Sequence, residues 1–386
     1  MLDKPRPARR QAHTIRTRHP GAAFRCVAVL CGALAATGAT AGDTMTMNAM
    51  FPASGAGKPM MMQPPPAGVM GAHLTPRGKT MVMYSSRWMH GEGLLMGTQE
   101  VSPEYVALNI ANVNAPPATV RMVPLSMNMN MQMLGLSHGL TQRLSISAAT
   151  SYVFKEMETL TFAGMSGDTR LGTKTNSTEG LGDSRIAATF QLYRNRSSAL
   201  NAGLGLSLPT GSITERINPL MPNGSIGDVR AMYGLQLGTG TVDLLPNLTY
   251  LGNRGKFGYG IAYRGRIALQ DENSEGYRWG DRHAVTAWLS YALSPALSGT
   301  ARVEASTKDA IHGADPNIDG AGRGSNPAFY GGERIELFAG FNLRGKAPGG
   351  HMARLAGEIG MPVYENLNGV QLSRDWVAQL TGSLRF

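Results

Sequence analysis

Cysteine, charge and long apolar runs are all scarce in this 386-residue chain. Only two cysteines occur, Cys26 and Cys31, both near the start. Charged residues make up 16% of the sequence, while glycines number 49. No apolar stretch reaches the ~18 residues that a spanning helix needs. A helical membrane protein is therefore excluded. A strand-built one is not, because transmembrane strands carry their apolar residues at every second position.

Residues 1–41 read as a secretory signal. Lys4, Arg6, Arg9, Arg10, Arg16, Arg18 and Arg25 form a basic start, Cys26 to Ala36 is a short apolar run, and Ala39-Thr40-Ala41 is a small-x-small cleavage site. A lipoprotein start at Cys31 is the alternative, disfavoured by the bulky Leu30 before it. The segment holds seven basic residues and one acid, which leaves +4 of the formal +10 on the remainder. The basic balance thus gives no argument for nucleic-acid binding. Both cysteines leave with the signal, so an exported mature chain has no disulfide, thiolate metal site or cysteine nucleophile.

Residues 42–78 are rich in Met, Pro, Gly and Ala, show no periodicity and cannot bury a core; they read as a disordered or loosely docked N-terminal tail. From Lys79 the pattern changes to alternation, the period of a strand. Strands are expected at 79–90, 123–137, 142–155, 182–194, 197–208, 242–252, 256–270, 281–294, 297–309, 334–345, 351–363 and 374–386. Their connections alternate long and short throughout. Long loops on one side and tight turns on the other mark an antiparallel transmembrane β-barrel of about twelve strands, spanning 79–386, in the bacterial outer membrane. The terminal Phe386 on an amphipathic last strand resembles the C-terminal signal by which such barrels meet their assembly machinery. The expected surroundings are outer-membrane lipid and a small-molecule solute.

"SMNMNMQML" (126–134) sets Met127, Met129, Met131 and Met133 against Ser126, Asn128, Asn130 and Gln132. Polar groups face hydrocarbon at a cost, so the methionines are expected to face lipid and to be no metal path. In "KTMVMYSSRWMH", Val82, Tyr84 and Trp88 share one face, which points Met81, Met83, Arg87 and Met89 inward. With Met45, Met47, Met50, Met60, Met61 and Met62 of the tail, Met81, Met83 and Met89 form a soft-donor set suited to Cu(I), the alternative to solute passage. A structural barrel that conducts nothing is the further alternative.

The polar faces carry Arg185, Arg264, Arg266, Arg302, Glu304, Glu336, Arg344, Arg354, Glu358 and Arg385, all candidates to line the lumen. Arginine outnumbers glutamate seven to three in that set, so a conducting lumen would favour anions. Arg–Glu pairs plugging a narrow barrel would use the same residues. "DPNIDG" places Asp315, Asn317 and Asp319 as the first half of a calcium loop, but Asn326 stands where the bidentate glutamate belongs. No HExxH motif occurs, and no histidine has a defensible Ser–acid pairing. No enzyme and no cofactor are expected.

"GLGDSRIAATFQLY" (180–193), "LGLSLPTGSI" (204–213), "GTGTVDLLPNLTY" (238–250) and "GMPVYENLNGVQLSRDWVAQLTGSLRF" (360–386) resemble the phenol-degradation-associated, MetA-pathway-like outer-membrane family. The resemblance covers roughly residues 70–386. It implies a barrel similar to transporters of hydrophobic compounds, passing a small organic solute. It transfers no binding residues, and the methionine-rich tail is not a feature of that family.

Overall fold

The computed structural model describes residues 62–69, 71–72 and 74–386. Thirteen long strands build the wall: β1 Thr80–Glu92, β2 Met122–Gly139, β3 Leu144–Phe162, β4 Arg170–Leu181, β5 Ser184–Arg194, β6 Ser198–Leu208 and β7 Asp243–Arg254, then β8 Phe257–Ala268, β9 Arg282–Ala292, β10 Leu297–Lys308, β11 Gly332–Lys346, β12 Met352–Leu372 and β13 Trp376–Arg385. Each pairs antiparallel with its neighbours, and β1 pairs β13 from Met81↔Arg385 to His90↔Trp376, closing the ring. The ring holds twelve strands, because β4 lies beyond β5 and pairs only with the far half of β3. Closure leaves no open sheet edge in hydrocarbon, which is the condition for a strand-built membrane protein.

Burial is inverted relative to a soluble protein. Leu134, Leu204, Leu289, Leu337 and Ile359 are exposed on the outside, while Asn201, Thr249, Ser290, Glu336 and Asn342 are buried inside. The alternation in each strand produces this directly, since its apolar set meets lipid and its polar set meets the lumen. Aromatic residues mark both rims of the apolar belt. Trp88, Tyr152 and Trp376 lie toward the long-loop end, and Phe257, Tyr291 and Phe341 toward the short-turn end. Both ends of the barrel chain fall on the short-turn side, where the Phe386 amide donates to the Thr80 carbonyl at 2.8 Å.

Two expected long loops are partly strand. β3 runs to Phe162 and β4 returns along it, so 156–181 is mostly a hairpin. β12 continues to Leu372, leaving only 373–375 as the link to β13. These extensions carry Glu156, Glu158, Lys174 and Glu365. Their charges interrupt the apolar alternation, which hides the strand from sequence. Pairing still continues, because backbone hydrogen bonds do not need an apolar face.

Candidate functional site: the barrel lumen

The lower lumen, next to the short turns, is filled by the chain itself. The described residues of 62–78 run from the wall at Arg77 to an apex at Gly68 and down to Met62. The segment contains Pro64-Pro65-Pro66, all buried. Proline has no N–H, so such a run needs donors from its surroundings and offers only carbonyls. The wall supplies donors. Arg264 donates to Gly68 O at 2.9 Å, Arg354 to Pro65 O at 2.5 Å, Gln379 to Ala67 O at 3.3 Å and Asn201 to Ala72 O at 2.7 Å. Arg344 reaches Gln63 Oε1 at 3.1 Å and Met62 O at 3.5 Å. Val69 and Ala72 pack on Leu251, Ala262 and Trp288, an apolar patch within the lumen. These residues are docked by specific bonds, although their sequence has no strand period. Gly68 is dictated by space, since a Cβ there would lie 2.8 Å from Arg302 Nη2 and closer still to the Glu358 carboxylate.

Above that apex a chain of ion pairs crosses from β9 through β10 to β12 on one side of the lumen. Arg302 meets Glu358 at 2.6 Å and Glu304 at 2.8 Å, and Glu304 meets Arg282 at 2.8 Å. The Arg302 guanidinium also lies 3.6 Å from the centroid of the Phe338 ring. Both members of the Arg302–Glu358 pair are buried.

Higher still is a cavity of about 410 Å³. Its charged lining is Lys155, Arg185, Arg266, Arg282, Lys308, Arg334 and Arg374, against Asp183 alone. Four of these cations have acidic partners: Arg266 with Asp243 at 3.5 Å, Arg282 with Glu304, Arg334 with Glu365, and Arg374 with Glu336 at 2.8 Å. Lys155 instead donates to the carbonyls of Gly234 and Gln236 at 3.0 and 2.5 Å. Those carbonyls belong to the 209–241 connection, which folds inward. Asp183, at the bend between β4 and β5, secures it by accepting from Gly211 N at 3.1 Å and Thr239 N at 2.8 Å. Tyr233, Tyr277 and Tyr330 roof the cavity side of the long loops in edge-on contact. Burial pushes the Tyr233 phenol up to about 12 and raises those of Tyr277 and Tyr330 as well. The tyrosines add no charge to the cavity lining.

The sequence candidates fall into separate levels. Arg264, Arg344 and Arg354 grip the N-terminal segment; Arg302, Glu304 and Glu358 form the crossing ion pairs; Arg185 and Arg266 line the cavity; Glu336 serves Arg374. Arg385, opposite Met81 and Met352, is on the inner side near the short-turn end. Lys155, Arg282, Lys308, Arg334, Arg374 and Trp279 escape the sequence reading because they sit at or beyond expected strand ends. Carrying each strand's parity to its first and last residues would have found most of them.

The methionine ladder is corrected. Leu134 and Leu136, on the same parity as Asn128, Asn130 and Gln132, are 56% and 51% exposed, which fixes that face as the outer one. Met127, Met129, Met131 and Met133 therefore face the lumen: Met127 packs with Met157 and Met232, and Met129 and Met131 line the cavity. The outward amides are tolerated because they satisfy one another. Gln132 donates to Asn130 Oδ1, Tyr84 donates to Gln132, and Asn128 Oδ1 lies 2.8 Å from His90 Nδ1. Met81, Met83 and Met89 share the inner face, opposite Ser137, Gly135 and Met129. Met62 packs beside Val69 and Ala72; Met45, Met47, Met50, Met60 and Met61 lie outside the described residues. Asp315 is buried in the loops, where its carboxylate accepts from Asn317 N at 2.8 Å and faces Arg230 at 3.7 Å, while Asp319 is exposed. The Asp315 oxygens serve a turn and an ion pair.

No family model and no curated protein matches this chain. Solved structures do match. An outer membrane channel from Pseudomonas putida F1 is 14% identical, with a TM-score of 0.52 over 82% of this chain and 99% of that one. A FadL homologue of Pseudomonas aeruginosa is 8% identical, with a TM-score of 0.41 over 79% and 90%. The Ralstonia pickettii toluene transporter TbuX is 10% identical, with a TM-score of 0.41 over 81% and 90%. The fold is that of the first of these, a bacterial outer-membrane barrel channel.

Proposed function

We propose that the chain is an outer-membrane channel for small organic solutes, of the kind associated with phenol degradation, with an anion-preferring lumen. The observation that carries this is the division of the barrel: an apolar outside, a polar inside, and a cavity lined by seven cations and one acid. Rings of basic side chains in a pore favour anions. A cavity so lined has no structural purpose that a packed core would not serve better. The N-terminal segment occupies the lower lumen and sets the closed state; solute passage requires it to shift. The fold of the Pseudomonas putida channel supports the transport class, and the sequence motifs at 180–193 and 360–386 support the family.

The test is a planar-bilayer recording of the purified chain under a salt gradient. Current with an anion-signed zero-current potential is expected. Cation selectivity contradicts the charge argument. In a deletion strain, slower growth on aromatic substrates with unchanged copper tolerance is expected; the reverse pattern would favour the thioethers as the working groups.

A further inference from the structure

The cavity is short of hydrogen-bond acceptors and rich in donors. Among its described lining residues, Arg185 makes no hydrogen bond or ion pair, and Lys308 is engaged only by the Trp279 ring, 3.8 Å from its ammonium. The charges acting most strongly on Lys308 are Arg266, Arg334, Arg282 and Lys155, all positive. Two further donors in the same lining, Trp279 Nε1 and Arg374 Nε, are buried without a partner. Buried donors are nearly always satisfied, so a set left open together points to a missing acceptor. An unpartnered cation facing other cations is costly and is relieved by an anion.

Another part of the lining has different chemistry. Met129 and Met131 line the cavity from β2, with Val153 beside them on β3. Register puts Met131 across from Arg87, and Met129 between Met89 and Lys155. Thioethers are polarisable, adapt their shape, and make favourable contacts with aromatic rings. A simple anion has no use for such a wall, and a neutral hydrocarbon has no use for the open donors.

We infer that this cavity is a binding subsite for compact amphipathic anions, of which a small aromatic carboxylate is the type: carboxylate toward Arg185 and Lys308, ring against Met129 and Met131. The inference rests on the channel reading and deepens it by naming the solute class. At about 410 Å³ the cavity falls in the usual range of small-molecule sites, roughly 300–1,000 Å³.

Calorimetric titration of the full chain in detergent with benzoate, benzyl alcohol and acetate separates the two halves of the site. Benzoate is expected to bind about tenfold or more tightly than either comparator, since a charge-assisted hydrogen bond, which benzyl alcohol lacks, and burial of a ring, which acetate lacks, each contribute about a decade or more. Arg185→Gln with Lys308→Gln should reduce benzoate to the level of benzyl alcohol. Met129→Ser with Met131→Ser should reduce it to the level of acetate. A heat-modifiable gel shift shows that each variant is folded. Acetate equal to benzoate, benzyl alcohol equal to benzoate, or folded variants that bind benzoate unchanged would overturn the subsite. Bilayer conductance in potassium chloride, measured on the same preparation, tests the channel reading separately. Current without benzoate preference defeats the subsite alone; benzoate preference without current keeps the subsite and defeats the channel.

Discussion

The two levels of the lumen use the same residue type to opposite ends. In the lower level, Arg264, Arg344 and Arg354 commit their donors to the carbonyls of residues 62–68. In the upper level, Arg185 and Lys308 keep theirs open. Both sets come from the inward parity of neighbouring strands, so the wall alone does not separate plug from pore. What differs is the partner. A proline-rich segment with carbonyls and few amides saturates a ring of arginines; where it ends, Arg185 and Lys308 above find no acceptor among the described residues. The lesson is that a basic lumen has no fixed role until its acceptors are located.

The strongest way to break this contrast is to remove the acceptors below. Deletion of residues 62–76 should raise the conductance of the barrel severalfold above that of the intact chain, read as single-channel current in a planar bilayer. If the deleted chain conducts no better than the intact one, the block lies elsewhere, in the loops that roof the cavity.

A second change attacks the boundary between the levels. Arg302→Met leaves Glu358 buried without its partner and Glu304 with Arg282 alone, a situation that costs roughly 3–5 kcal/mol. The heat-modifiable transition should fall clearly in temperature. Replacing Arg302 and Glu358 together, with Met and Leu, should recover much of that loss. If the single and double variants melt alike, the pair is not the coupled unit described.

Single grips on the segment should count for less. Arg354→Ala removes the bond to Pro65 O, and a hydrogen bond to a charged donor contributes about 1.5–3 kcal/mol. The open fraction should rise about tenfold or more, since about 1.4 kcal/mol is one decade. An unchanged open fraction would mean that the remaining contacts suffice.

At the surface the expectation is close to nothing. Arg170 pairs with Glu104 at 2.5 Å on the exposed loops, with Arg170 61% exposed. Exposed pairs contribute about 0–1 kcal/mol, so Arg170→Ala should leave melting and conductance within error. A large effect would show that this loop contact gates the cavity.

Much of this architecture is legible in the order of residues alone. Strand alternation, long and short connections and the terminal Phe386 specify the barrel, and parity places Arg185, Arg302 and Glu358 inside. Two kinds of information are not local. The cost of exposing Asn130 and Gln132 argues for methionines that face lipid, yet the mutual hydrogen bonding of those amides lowers the cost, and Leu134 and Leu136 decide the face. The docking of residues 62–69 and Ala72 depends on donors from Asn201, Arg264, Arg354 and Gln379, scattered over half the chain. No window of sequence contains that site.

The central claim is that uncommitted cations in the upper lumen, and not the arginines engaged below, govern what passes. The most direct measurement is the zero-current potential under a potassium chloride gradient of the chain lacking residues 62–76, compared with the same chain carrying Arg185→Gln and Lys308→Gln. An anion-signed potential that falls toward zero in the substituted chain is the predicted result. A cation-signed potential, or an anion-signed one unmoved by the two substitutions, would contradict the account.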